Sequence, residues 1–212
     1  MNPQLLAVYV ILDPDHCGER SLSDLARQAV QGGATMIQLR AERRSTYEQV
    51  LLARALREVT RALQTPLVIN DRVDVALAVG ADGVHVGHPG VEDMPPELAR
   101  RLLGPQAVIG VSVATPAEAL TTAALGASYL SVGPIFGTAS KGDAGPPVGP
   151  ERLTAIRAAV SVPLCAIGGI TADNAGLAIT AGADGVAVIS MISTASDPVA
   201  ATRALVAAVA GR

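Results

Sequence analysis

The stretch Gly80-Ala81-Asp82-Gly83-Val84-His85-Val86-Gly87 returns, nearly copied, as Gly182-Ala183-Asp184-Gly185-Val186-Ala187-Val188-Ile189. Each copy follows an amphipathic run and opens on glycine, the residue that most readily supplies a left-handed helix cap. What comes next is apolar, β-branched and of strand length. Gly32-Gly33-Ala34 and Gly126-Ala127-Ser128 hold the same place before other apolar runs. One helix-to-strand unit repeated along the whole chain implies one architecture throughout.

Working outward from these units, short runs rich in Val, Ile and Leu fall at 6–12, 36–39, 67–69, 83–86, 107–111, 129–132, 164–167 and 185–189. They are nearly continuous rather than alternating, as expected of parallel strands buried on both faces. Amphipathic runs at 21–31, 46–63, 72–79, 95–103, 116–125, 150–159, 171–180 and 197–209 fill the gaps as helices. Ser21 and Thr171 read as N-caps, and Thr115-Pro116-Ala117-Glu118 reads as a capping box. Eight units in 212 residues average about 26.5 each, enough for a strand, a helix and short loops. The expected class is α/β, a closed (β/α)8 TIM barrel forming a single domain over 1–212. An open doubly wound sheet is the alternative, but no GxGxxG follows the first run.

Composition narrows the function classes. The net charge is -3, which gives no basic field for nucleic acid. Three Tyr, one Phe and no Trp provide no base-stacking platform. They also leave the core to Ala, Val, Leu and Ile, and a small barrel is expected to have little room for large rings. Cys17 and Cys165 are far apart and form no metal knuckle or disulfide scaffold, so both read as reduced thiols of a cytoplasmic protein. The first apolar run meets Asp13 too early to cross a membrane.

A barrel carries its site at the carboxyl ends of its strands. Polar residues expected there are Gln38 and Arg40, Asn70 and Asp71, His88, Glu92 and Asp93, Ser112, the stretch from Gly133 to Lys141, Gly168-Gly169, and Ser190. Gly168-Gly169 and Ser190 follow the seventh and eighth strands, where barrels often bind phosphate. Lys141 ends a Gly/Thr/Ser-rich loop that suits an anion, although a loop lysine is more often a solvated charge. Asp71 reads either as the N-cap of the next helix or, with Asp93, as a ligand of one Mg2+ bridging phosphate oxygens. His85 reads as a hydrogen-bonded interior histidine.

Taken in order, Gln38-Leu39-Arg40, Val68–Arg72, Ala81–Gly87, Ile109–Ser112, Gly133–Lys141, Ala166–Ile170 and Val188–Ser190 resemble the thiamine phosphate synthase family over nearly the whole chain. The resemblance implies a Mg2+-dependent transferase acting on small phosphorylated molecules. It would join a pyrimidine carried as its methyl diphosphate to a thiazole carried as its ethyl phosphate, with diphosphate released. It places Gln38, Leu39, Arg40, Ala41, Glu42, Arg43, Asn70, Ser112 and Lys141 around the pyrimidine diphosphate. Among these Lys141, Arg40 and Ser112 carry the catalysis. Thr138, Ala139, Ser140, Gly169, Ile189 and Ser190 would hold the thiazole phosphate, and Asp71 and Asp93 the metal. The loop over 137–149 is expected to close over substrate.

Three departures from the family pattern stand out. Glu42 occupies a position that is often lysine. A carboxylate there would repel diphosphate, so Glu42 is expected to turn outward and Arg43 to take the cationic role. Counting forward from Gly87-His88 puts Gly90 at the second metal position. Counting back from Ile109-Gly110 puts Asp93 there, with 89–91 as an insertion, and this count is preferred. Ala114 stands where the family frequently has histidine. A sister group of thiazole tautomerases uses that histidine for proton transfer and tends to lack the aspartate that follows asparagine. Ala114 and Asp71 together favour the synthase over an isomerase, and a non-catalytic binding protein is the third possibility.

Overall fold

The computed structural model describes residues 1–87, 94–140 and 145–211. Eight strands run parallel and pair in sequence order: β1 (Val8–Leu12), β2 (Met36–Leu39), β3 (Leu67–Asn70), β4 (Gly83–Val86), β5 (Val108–Val113), β6 (Tyr129–Val132), β7 (Leu164–Ile167) and β8 (Gly185–Val188). Strand β8 pairs back onto β1, with Val8 opposite Val186, and closes the barrel. Every strand expected from the sequence is present.

The helices are α1 (Leu22–Gly32), α2 (Thr46–Ala62), α3 (Val73–Val79), α4 (Pro96–Leu103), α5 (Pro116–Ala124), α6 (Gly149–Ala159), α7 (Ala175–Thr180), α8 (Ser190–Ser193) and α9 (Pro198–Ala210). Ser21 caps α1 through the Asp24 N–H. Thr115 accepts from the Glu118 N–H, but the Glu118 carboxylate reaches back to the Ala114 N–H at 2.7 Å, one residue beyond a standard box. The full reciprocal box lies instead at Ser45 and Glu48. Thr171 is not an N-cap: its N–H donates to Asn174 Oδ1 at 2.8 Å in a turn, and α7 begins only at Ala175. None of the helices described is long and apolar enough to cross a membrane.

The repeated Gly-Ala-Asp unit has a structural purpose. The Asp82 carboxylate accepts the Leu67 N–H at the start of β3 and pairs with Arg57 of α2. The Asp184 carboxylate does the same for the Leu164 N–H at the start of β7, with Arg157 of α6. Ser128 holds the Ile109 N–H with Arg100 of α4, and Thr35 holds the Val8 N–H. All four sit just before an even-numbered strand and satisfy a backbone donor at the foot of the preceding odd one. The barrel is therefore built as four strand-helix-strand-helix units with a shared polar lock on its amino-terminal side.

Two cores follow from the strand alternation. Val8, Val10, Leu12, Ile37, Leu39 and their counterparts face outward under the helices. Tyr9, Ile11, Met36, Val68, Tyr129, Cys165 and Ala187 fill the lumen. The expected lack of room for rings is corrected here: Tyr9 and Tyr129 are both fully buried inside the barrel, edge to face, with centroids 6.0 Å apart. Gly110 makes the space. A Cβ there would overlap the Tyr129 phenol and lie 2.5 Å from His85 Nδ1.

Burial raises both tyrosine hydroxyls well above their ordinary value of 10.0, and the Cys165 thiol above 9.0. In alkali the unfolded chain loses these protons while the folded chain keeps them. Unfolding is thereby favoured, and stability falls as pH rises past those ordinary values. Urea midpoints measured between about pH 8.5 and about pH 11 should drop, and Tyr129→Phe should flatten that limb. A midpoint independent of pH over that span, in the unsubstituted chain, would contradict the buried, protonated pair.

Candidate active site

At the carboxyl ends of the strands lies a cavity of about 330 Å³. Strand parity decides who lines it. Gln38 on β2 and Arg40, just beyond its end, point inward, and Leu39 points out under the helices. Leu39 borders a smaller adjoining cavity instead. From the expected set, Gln38, Arg40, Glu42, Asn70, Asp71, Ser112, Thr138, Ser140, Gly169, Ile189 and Ser190 line this one cavity. Ala41 lines a smaller adjoining one of about 170 Å³, and Ala139 is exposed. His88, Glu92, Asp93 and Lys141 lie outside the described residues.

One arc of the rim is charged. Arg40 Nη1 donates to Asp13 Oδ2 at 2.6 Å, and Nη2 donates to Glu42 Oε2 at 2.7 Å. The Asp13 side chain is 4% exposed and also accepts the Asp15 N–H. Buried at the end of β1, it fixes the guanidinium, a role the sequence reading did not assign. The Asn70 amide nitrogen donates to Asp71 Oδ2 at 2.6 Å and to Glu42 Oε1 at 3.1 Å. Asp71 is not a helix cap: α3 starts at Val73, and the Asp71 carboxyl faces the cavity. Its backbone is left-handed, with φ 57°, and its N–H donates to the His85 carbonyl. A non-glycine residue held in that conformation is often found at functional sites.

The outward turn expected for Glu42 is corrected. Its carboxylate faces the cavity because Arg40 and Asn70 both hold it. Arg43 is the residue that turns out, 84% exposed and 3.9 Å from Asp15, and it does not line the cavity.

A second arc is uncharged. Gly168 and Gly169 are both left-handed, with φ 94° and 64°. Side chains there would collide with Pro134 and Phe136 of the loop after β6, so packing as well as backbone strain demands glycine. Ser140 of that loop donates to Ser190 Oγ at 2.9 Å, joining it to the end of β8. The four-residue α8 then begins at Ser190; no sequence signal marked it, since four residues show no helical period.

Between the arcs, the cavity floor is a hydrogen-bonded chain of side chains. Gln38 Nε2 donates to the Tyr9 hydroxyl, and the Tyr129 hydroxyl donates to the same oxygen at 3.0 Å. With that polarity, His85 Nδ1 is the donor to Tyr129, at 2.9 Å. His85 Nε2 is then the acceptor for the Ser112 hydroxyl, at 3.1 Å. The interior role read for His85 is found, and Tyr9 and His85 also line the cavity. Parity with Gln38 could have pointed to them. The arrangement leaves Ser112 presenting oxygen lone pairs to the cavity.

Among the described residues no three His, Cys, Asp or Glu side chains cluster to hold a metal. The Asp71 carboxyl, with Asn70 and Glu42 beside it, nevertheless offers the hard oxygen donors that suit Mg2+.

A closed (β/α)8 barrel with a glycine turn after β7, a serine after β8 and a charged arc across β2 and β3, all on one cavity at the carboxyl ends of its strands, has the layout of a barrel enzyme. The sequence matches the model of the thiamine monophosphate synthase family over residues 8–192. The chain belongs to that family. It is 53% identical to a thiamine-phosphate synthase of Roseiflexus castenholzii across 93% of this chain and 86% of that protein. It is 51% identical to the one from Moorella thermoacetica across 93% of each. The solved thiamine phosphate pyrophosphorylase of Pyrococcus furiosus superposes with a TM-score of 0.86 at 41% identity, covering 98% of this chain and 96% of that one.

Proposed function

We propose that this chain condenses a 4-amino-2-methylpyrimidine, carried as its methyl diphosphate, with a thiazole ethyl phosphate, giving thiamine phosphate and diphosphate. The observation that carries the reading is a single cavity with a charged arc, an uncharged arc of glycine and serine, and a hydrogen-bonded polar floor between them. Arg40 and Asn70, with Lys141 from the loop after β6, take the diphosphate. The Gly168-Gly169 turn, Thr138, Ser140 and Ser190 take the thiazole phosphate. Gln38 and Ser112 meet the polar edge of the pyrimidine.

The carbon–oxygen bond to the diphosphate breaks, and the electron pair leaves with the oxygen. Positive charge on the exocyclic carbon spreads into the pyrimidine and onto its amino nitrogen. Ser112, fixed as an acceptor by His85, strengthens its bond to that amino group as the charge grows. It is therefore worth more in the transition state than in the ground state. The thiazole nitrogen lone pair then forms the new carbon–nitrogen bond. No side chain need act as nucleophile or general base, and positioning is the main task.

Asp71, with Asp93 as its expected partner, would hold Mg2+. The metal would offset charge on the leaving diphosphate. Asp71→Asn should lower kcat/KM at limiting Mg2+ by about 100-fold and weaken Mn2+ binding, read by electron paramagnetic resonance in the presence of diphosphate. A variant that binds Mn2+ as tightly as the unsubstituted chain would remove Asp71 from the metal site.

A further inference from the structure

We infer that Glu42 is a tethered competitor for the diphosphate group, seated on the donors that the substrate must take, and that it holds down the affinity of the charged arc for anions. This rests on the reading of the charged arc as the diphosphate site.

Both Glu42 carboxylate oxygens are engaged. One accepts from Arg40 Nη2 at 2.7 Å and the other from Asn70 Nδ2 at 3.1 Å. These are the two donors assigned to the diphosphate among the described residues of the arc. Arg40 cannot turn to a new partner while keeping its old ones, because Asp13 holds its other arm and Arg40 is only 14% exposed. Glu42 is the movable member: its side chain is 43% exposed and it also borders the adjoining cavity of about 170 Å³. An incoming anion must therefore displace a carboxylate already in charge-assisted bonds to both groups. The tethered carboxylate therefore weakens every anion that must take these two donors, diphosphate and phosphate alike.

The test is titration calorimetry of the unsubstituted chain and Glu42→Gln with inorganic diphosphate plus Mg2+, and separately with inorganic phosphate. Glutamine keeps the size and the Asn70 contact but not the charge. The variant should bind diphosphate about tenfold tighter and also acquire measurable phosphate binding, with an unchanged circular dichroism spectrum. Unchanged or weaker diphosphate binding by the variant overturns the inference, since Glu42 would then be neutral or helpful to the bound state. If neither protein binds diphosphate while both remain folded, the reading of the arc itself fails, and the inference falls with it.

Discussion

A single added methyl group at position 110 is expected to damage this protein more than the loss of most surface charges. In Gly110→Ala the new Cβ would overlap the Tyr129 phenol and press on His85 Nδ1. Neither ring can retreat, because Tyr129 is fully buried and packs edge to face on Tyr9. Overpacking costs about 1–3 kcal/mol, and parting His85 from Tyr129 leaves buried polar atoms at about 1–3 kcal/mol more. A loss of about 2–6 kcal/mol is a large share of a typical domain's stability. The same change frees the His85 ring, so Ser112 loses the partner that sets its polarity, and kcat should fall more than KM rises. Urea denaturation and steady-state kinetics read the two effects. Adding Tyr129→Leu should relieve the overlap and recover the overpacking share of the stability, but not the share lost with the His85 hydrogen bond, and not kcat. Recovery of both would mean that the polar chain has no catalytic consequence.

Arg40→Ala should be nearly as severe, for a different reason. Asp13 would keep the Asp15 N–H, but lose its charged partner at a site where its side chain is 4% exposed. Removing one member of a buried pair costs about 3–5 kcal/mol, the lower end being apt here because Arg40 reaches the cavity edge. The diphosphate would lose a charge-assisted donor, and kcat/KM should fall by about 100-fold or more. Arg40→Lys keeps the charge but cannot span Asp13 and an anion with one planar fork, so it should rescue stability better than activity. Asp13→Asn combined with Arg40→Ala should regain stability and remain inactive. If Arg40→Ala kept full activity, the charged arc would not be the diphosphate site.

Much of the fold was legible because the barrel repeats itself. The Gly-Ala-Asp copies marked helix ends and strand starts, and their aspartates prove to lock neighbouring strands. What escaped was set by packing between distant segments. Gly110 lies in an ordinary strand, and only the closed barrel brings Tyr129 and His85 against it. Thr171 looks like a cap by residue type, yet Asn174 takes its N–H and delays the helix. Leu39 sits inside a site motif, but strand parity sends it to the other face. Glu42 was read from charge alone as repelled by the site. Its neighbours Arg40 and Asn70 draw it in, and that pairing depends on two strands meeting. The metal ligand expected at Asp93 and the cation expected at Lys141 lie outside the described residues.

The central claim is that one mouth couples two phosphorylated substrates. Its most direct measurement mixes purified protein with the pyrimidine diphosphate and the thiazole phosphate, with Mg2+ or with chelator, and follows diphosphate and thiamine phosphate together. The two products should appear one for one, only with Mg2+ and only when both substrates are present. Binding of both substrates without turnover, or isomerisation of the thiazole alone, would contradict it.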